Sequence, residues 1–92
     1  MLTEQQLSHM NAKIGSLRNQ LNGNHDSLEY ARKMLDDVLK MYGDALEVNG
    51  GYKLHVDRIN EDIREREAEV ERLAIELTRH EVALKNNQYI DD

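Results

Sequence analysis

The sequence contains no cysteine, proline, tryptophan or phenylalanine. Without cysteine there is no disulfide framework, no thiolate zinc site and no thiol nucleophile, which points to an intracellular, non-redox protein. Long hydrophobic runs are missing too. No stretch approaches the roughly 20 apolar residues that a membrane-spanning helix needs, and Met1 to Gln6 lacks the basic region and apolar run of a secretory signal. The expectation is a soluble, cytoplasmic chain. Positive charge is also scarce: 12 Lys and Arg against 18 Asp and Glu give a net charge of −6. By segment the balance is +1 over residues 1–25, −3 over 26–48 and −4 over 49–92. Direct binding to nucleic acid or an anionic membrane requires a basic face, so neither is expected. A basic partner remains compatible.

What the chain does have is heptad periodicity. Val56, Ile59, Ile63, Val70, Leu73, Leu77 and Leu84 fall on steps of three and four with charged residues between them. This is a helix with a narrow apolar seam, which cannot stand alone in water. Upstream, Leu7, Met10, Ile14, Leu17 and Leu21 repeat the spacing, and Leu28, Ala31, Leu35, Val38, Tyr42 and Ala45 continue it in phase. In heptad terms, position a falls at multiples of seven and position d three residues later.

Asn22-Gly23-Asn24-His25-Asp26-Ser27 has turn chemistry, with Asp26 and Glu29 reading as a new capping box. A true loop has no reason to preserve seam phase, however. One helix from about residue 3 to 47, weakened or bent at 22–25, is therefore expected, with Thr3 or Ser8 able to start it and Thr3 with Gln6 reading as a capping box. Asn49-Gly50-Gly51 is stronger punctuation, because each Gly costs about 1 kcal/mol in a helix. The chain is expected to reverse at residues 48–52, by a turn or by a small β-hairpin in which Leu46, Val48, Tyr52 and Leu54 alternate, before a second helix over about 53–86. Residues 87–92 form a short tail, in which Tyr89 and Ile90 either pack back near Leu7 and Met10 or serve as a docking element.

A reversal centred between Gly50 and Gly51 pairs residues whose numbers total 101, setting Tyr42 against Ile59, Val38 against Ile63, Ala31 against Val70 and Leu28 against Leu73. Registers shifted by seven fit the two seams equally, and only the length of the connection selects this one. It also produces weak layers, with Leu35 facing Arg66, Asn24 facing Leu77, Leu21 facing His80 and Ile14 facing Asn87. Their cluster at the open end predicts fraying there. The fold class read from the sequence is thus all-α: one domain over residues 1–92, a long antiparallel helical hairpin with coiled-coil packing. Long hairpins of this kind resemble the tentacles of prefoldin-type chaperones in architecture alone, no sequence motif of that family being present.

Met34, Leu39, Met41, Leu46 and Val48 are apolar but lie off the first seam; Leu54, Ala74, Ile75, Val82 and Ala83 lie off the second. Two helices cannot cover all of these, so a homodimer forming a four-helix bundle is expected. Acidic residues beside the first group make Met34, Asp36, Asp37, Met41, Asp44 and Glu47 the candidate partner-binding residues, because Met-rich surfaces adapt to their targets. Burial in the homodimer would account for the same patch.

No motif carries chemistry. His9, His25, His55 and His80 are not spaced to share a metal, so no metal site is expected. Seam position would make dimer stability depend on pH near neutrality through His80. Acids between Asp57 and Glu81 have basic neighbours one turn away, as in Glu61 with Arg64, Asp62 with Arg66 and Glu69 with Arg72, which reads as a solvated helix face. Gly50-Gly51 lacks the Lys-Ser/Thr of a phosphate loop. The expected function is a non-enzymatic protein–protein interaction module, without cofactor, acting as a small acidic adaptor or inhibitor. Two alternatives are an acidic nucleic-acid mimic that blocks a host-defence protein and a self-assembling structural or chaperone-like component.

Overall fold

A computed structural model describes residues 1–43 and 50–91. It is a rod of 65 × 15 × 14 Å built from two helices, α1 (Glu4–Tyr42) and α2 (Gly50–Lys85). No strand occurs among the described residues. The helices run antiparallel: the end of α1 meets the start of α2 where Tyr42 stacks on Tyr52, and Met10 near the start of α1 packs on Ala83 near the end of α2. Among the described residues, no helix is long and apolar enough to cross a membrane.

α1 starts where its capping box places it. The Gln6 amide donates to Thr3 Oγ1 at 3.1 Å, and the Thr3 amide donates to Gln6 Oε1 at 3.0 Å, which satisfies two groups that a helix N-terminus otherwise leaves unpaired. The helix then passes through residues 22–27 without interruption. Asn24, on the seam, turns its side-chain amide back onto the Gln20 carbonyl at 2.8 Å, so its polar group is satisfied within the helix. Seam phase has overridden local turn propensity here.

Burial follows the two seams. The buried residues of α1 are Met10, Ile14, Leu17, Leu28 and Ala31, every one at a or d. On α2, Ile59, Ile63, Leu73 and His80 are seam residues, and Ala83 is the exception, buried against Met10 although its spacing marks it as surplus. Each large apolar side chain so buried contributes about 1.5–3 kcal/mol.

The register differs from the glycine-centred one. The numbers of the stacked residues Tyr42 and Tyr52 total 94, and Ala31 with Ile63 belongs to the same core cluster and the same register. The shift is one heptad, which preserves every a–d layer. Its cause lies in Gly50 and Gly51. Neither has a positive φ, and both are helical at the start of α2, together with Tyr52 and Leu54. A glycine is disfavoured in a helix without being forbidden, and here the cost of two is offset by keeping Tyr52 half-buried against Tyr42. The expected turn or β-hairpin at 48–52 is therefore replaced by helix from Gly50 onward, while Ala45, Leu46, Val48 and Asn49 lie outside the described residues.

The new register redistributes the polar layers: Arg66 falls opposite Leu28, Asn24 opposite Val70 and His80 opposite Ile14. The open end is packed rather than frayed, Met10 and His80 both lying within 1 % of full burial, as does Leu73 at mid-rod. α2 ends in a Schellman motif. Asn87 takes the left-handed conformation (φ 56°), its amide donates to the Leu84 carbonyl at 3.1 Å, and the Gln88 amide donates to the Ala83 carbonyl at 2.8 Å. The tail thereby folds back, Ile90 packing on the cluster of Leu2, Met10 and Ala83 and Tyr89 meeting His9 at 5.8 Å between ring centroids.

Candidate functional site

Two seam positions of unsuitable size lie close together in the observed register. Ala31 is small, and Arg66 carries a charge that cannot remain in an apolar layer without a partner. The Arg66 stem runs outward and its guanidinium Nε donates to Asp62 Oδ2 at 2.9 Å, both side chains more than a third exposed. The seam is left underfilled at this level. The result is a trough of about 400 Å³ between the helices, with buried Ala31 and Ile59 at its base, Tyr30 and Met34 along its α1 wall, and Asp26, Ser27, Asp62 and Arg66 around it. A second depression shares Tyr30 and Met34 and extends over the outer surface of α1 to Lys33 and Asp37.

The opposite flank is polar, with a depression lined by Asp57, Asn60, Ile63, Arg64 and Glu67 and two ion pairs that cross it. Arg18 Nη2 reaches Glu81 Oε1 at 2.9 Å and Arg32 Nη2 reaches Glu67 Oε1 at 3.5 Å, both pairs crossing from α1 to α2. These residues all occupy heptad position e, the flanking position on the side away from Met34. The hairpin is thus polar and laced by charge on one flank and apolar on the other.

The outer face of α2 carries a separate apolar stripe. Glu71, Ala74, Ile75 and Thr78 line a shallow surface depression, with Ile75 60 % exposed. Val82, one helical turn beyond Thr78, is also exposed. The Thr78 hydroxyl donates to the Ala74 carbonyl at 2.9 Å, which leaves its methyl group to extend the stripe.

The candidate residues named from the sequence divide accordingly. Met34 and Asp37 line the depressions around Tyr30. Met41 is 70 % exposed on the same flank as Met34, one heptad further along. Asp36 is engaged elsewhere: Lys40 Nζ lies 2.9 Å from its Oδ2, and this bond, with the charge of Asp36, raises the Lys40 pKa. Asp44 and Glu47 lie outside the described residues. Tyr30, which sequence reasoning offers as an anchor of this patch, walls the trough, whereas Ile59 as its base was missed. Arg66 on the seam was the available signal, but its effect depends on the register.

Two further ion pairs lie along α2. Arg72 Nε donates to Glu69 Oε2 at 3.0 Å, a bond that lowers the Glu69 pKa and raises that of Arg72. Arg79 Nη2 donates to Glu76 Oε2 at 3.0 Å. His80 is buried, and its Nδ1 donates to the Glu76 carbonyl at 2.8 Å, which requires a proton on that nitrogen because a carbonyl only accepts. It belongs to the core of the single hairpin. Among the described residues no group of three or more His, Asp and Glu side chains is placed to hold a metal ion. No protein-family model matches the chain, and no curated protein and no solved structure matches it either.

Proposed function

We propose that this chain is a non-enzymatic protein–protein interaction module of the cytoplasm: a coiled-coil hairpin that dimerises into a four-helix bundle and acts as an adaptor or inhibitor by occupying another protein's surface. The observation that carries this reading is the presence of two separate apolar patches on one thin rod. The trough at Tyr30 and Met34 and the stripe at Ile75 and Val82 lie on different faces, and neither can be covered by folding the hairpin itself. Exposed apolar patches with polar rims are the usual mark of protein contact. Among the described residues, a rod about 15 Å thick gives paired carboxylates little enclosed, dry space in which to be driven to different pKa values for acid–base work.

The acidic-mimic alternative is less well supported. A mimic needs a run of unopposed acid, whereas Asp36, Asp62, Glu67, Glu69, Glu76 and Glu81 each have a basic side chain within ion-pair distance.

Affinity capture from nuclease-treated native-host lysate tests the reading, using the wild-type chain, Ile75→Lys and Met41→Lys as baits. A stoichiometric foreign protein that is lost with Ile75→Lys or with Met41→Lys supports an adaptor or inhibitor. Recovery of the chain alone by all three baits overturns it in favour of a structural component whose partner is itself.

A further inference from the structure

We infer that the trough is the dimer interface, filled by the Met41 side chain of a second copy, with the two α1 helices packed antiparallel about a twofold axis level with Leu35. This goes beyond the interaction-module reading by assigning one of its two patches. Three observations converge on this occupant.

The first is shape. Met34 and Met41 are seven residues apart and therefore lie on one flank of α1. Met34 walls the trough, while Met41 projects with 70 % of its surface exposed. A cavity and a knob on the same face form a self-complementary surface, the requirement of an isologous contact. Methionine is flexible enough to fill an irregular trough of about 400 Å³.

The second is charge. The depression continuous with the trough carries Lys33 and Asp37, one turn apart and of opposite sign. An antiparallel copy turned about the midpoint between them sets Lys33 against the partner's Asp37 and Asp37 against the partner's Lys33. An external ligand of uniform charge would meet both signs at once. A second copy meets each with its opposite, twice.

The third is register, which is independent of the charges that set the axis. The same twofold brings the partner's Met41 level with Glu29, so that it lies over the trough between Ser27 and Tyr30. The ion pairs and the knob thus select one arrangement. Closely packed antiparallel α1 helices also oppose their macrodipoles favourably. The contact spans only about five turns of each α1, which places it among small interfaces and makes association depend on concentration.

Sedimentation equilibrium over a hundredfold dilution tests this. The expected result for the full chain is a reversible change between 10.7 kDa and twice that mass. Met41→Lys weakens association by about tenfold or more, as expected when a charge replaces the apolar side chain that fills the trough. Lys33→Asp and Asp37→Lys each weaken it by roughly fivefold, since each places two like-charged pairs across the axis. The double variant Lys33→Asp/Asp37→Lys recovers the wild-type constant. Ile75→Lys leaves it unchanged. All these positions are exposed in the hairpin, and unchanged helical circular dichroism excludes misfolding as the cause.

A chain that remains monomeric at roughly 1 mM overturns the inference. So does a dimer indifferent to Met41→Lys, or a double charge reversal no stronger than the single ones. In each case, capture of a foreign protein that depends on Ile75 leaves the interaction-module reading intact.

Discussion

Tyr42 and Tyr52 stack with their ring centroids 4.4 Å apart and their planes within 19° of parallel, joining the last residue of α1 to the first turn of α2. This contact fixes which heptad of one helix faces which heptad of the other. A double-mutant cycle with Tyr42→Ala and Tyr52→Ala is expected to give a coupling energy of about 0.5–1.5 kcal/mol in urea denaturation. A coupling of zero would show that the rings are not in contact and remove this support for the register.

Gly23→Ala separates a continuous α1 from a broken one. Gly23 is helical, and an added Cβ would meet nothing within 4 Å. The substitution should stabilise the hairpin by about 0.5–1 kcal/mol, through a smaller loss of backbone entropy on folding. A destabilised variant in thermal melts would mean that residues 22–27 leave the helix.

Asn87 makes the opposite case. Its φ of 56° is tolerated by Asn and Gly and disfavoured for β-branched residues. Asn87→Gly is expected to be neutral or slightly stabilising, and Asn87→Val to cost about 1–2 kcal/mol. The Val variant should also release the tail, seen as faster exchange of the Gln88 amide and loss of the Tyr89 to His9 contact in NMR spectra.

Glu69 gives a pH dependence with a definite sign. Its pKa is lowered in the folded helix, chiefly by the hydrogen bond from Arg72. Stability from this pair is therefore fully present above the ordinary glutamate range and is lost as pH falls through the lowered folded value. The group is exposed, so the effect is small, and NMR titration measures it better than melting. The Glu69 carboxyl carbon should titrate below an unstructured peptide control, and Arg72→Ala should move it upward. An unmoved midpoint would show that the pair is not formed in solution.

Much of this fold was legible because seam spacing is a global signal and turn chemistry a local one. The two helices, their antiparallel packing and the Thr3 capping box followed from spacing and residue type, and the phase argument carried α1 through Gly23. The register was harder. A heptad seam matches its partner at every shift of seven, so the seams cannot choose, and the two glycines that appeared to mark the turn are instead helical. Ala83 was misjudged because the tail and Leu2 bring a third surface to the open end, which a two-seam analysis does not contain. The trough was hidden for the same reason as the register. Arg66 lies within about one turn of Ala31 in either register, but only the observed pairing brings Ile59 and Asp62 beside Tyr30 and Met34 and leaves a space.

The antiparallel pairing also has a metrical consequence. Ile75 lies level with residue 19 of α1, sixteen residues from the proposed twofold axis at Leu35. At 1.5 Å per residue, the two Ile75 stripes of a dimer stand about 50 Å apart along the bundle. Whatever binds them is held at that spacing by continuous helix, so the assembly is a ruler that sets the distance between two bound proteins.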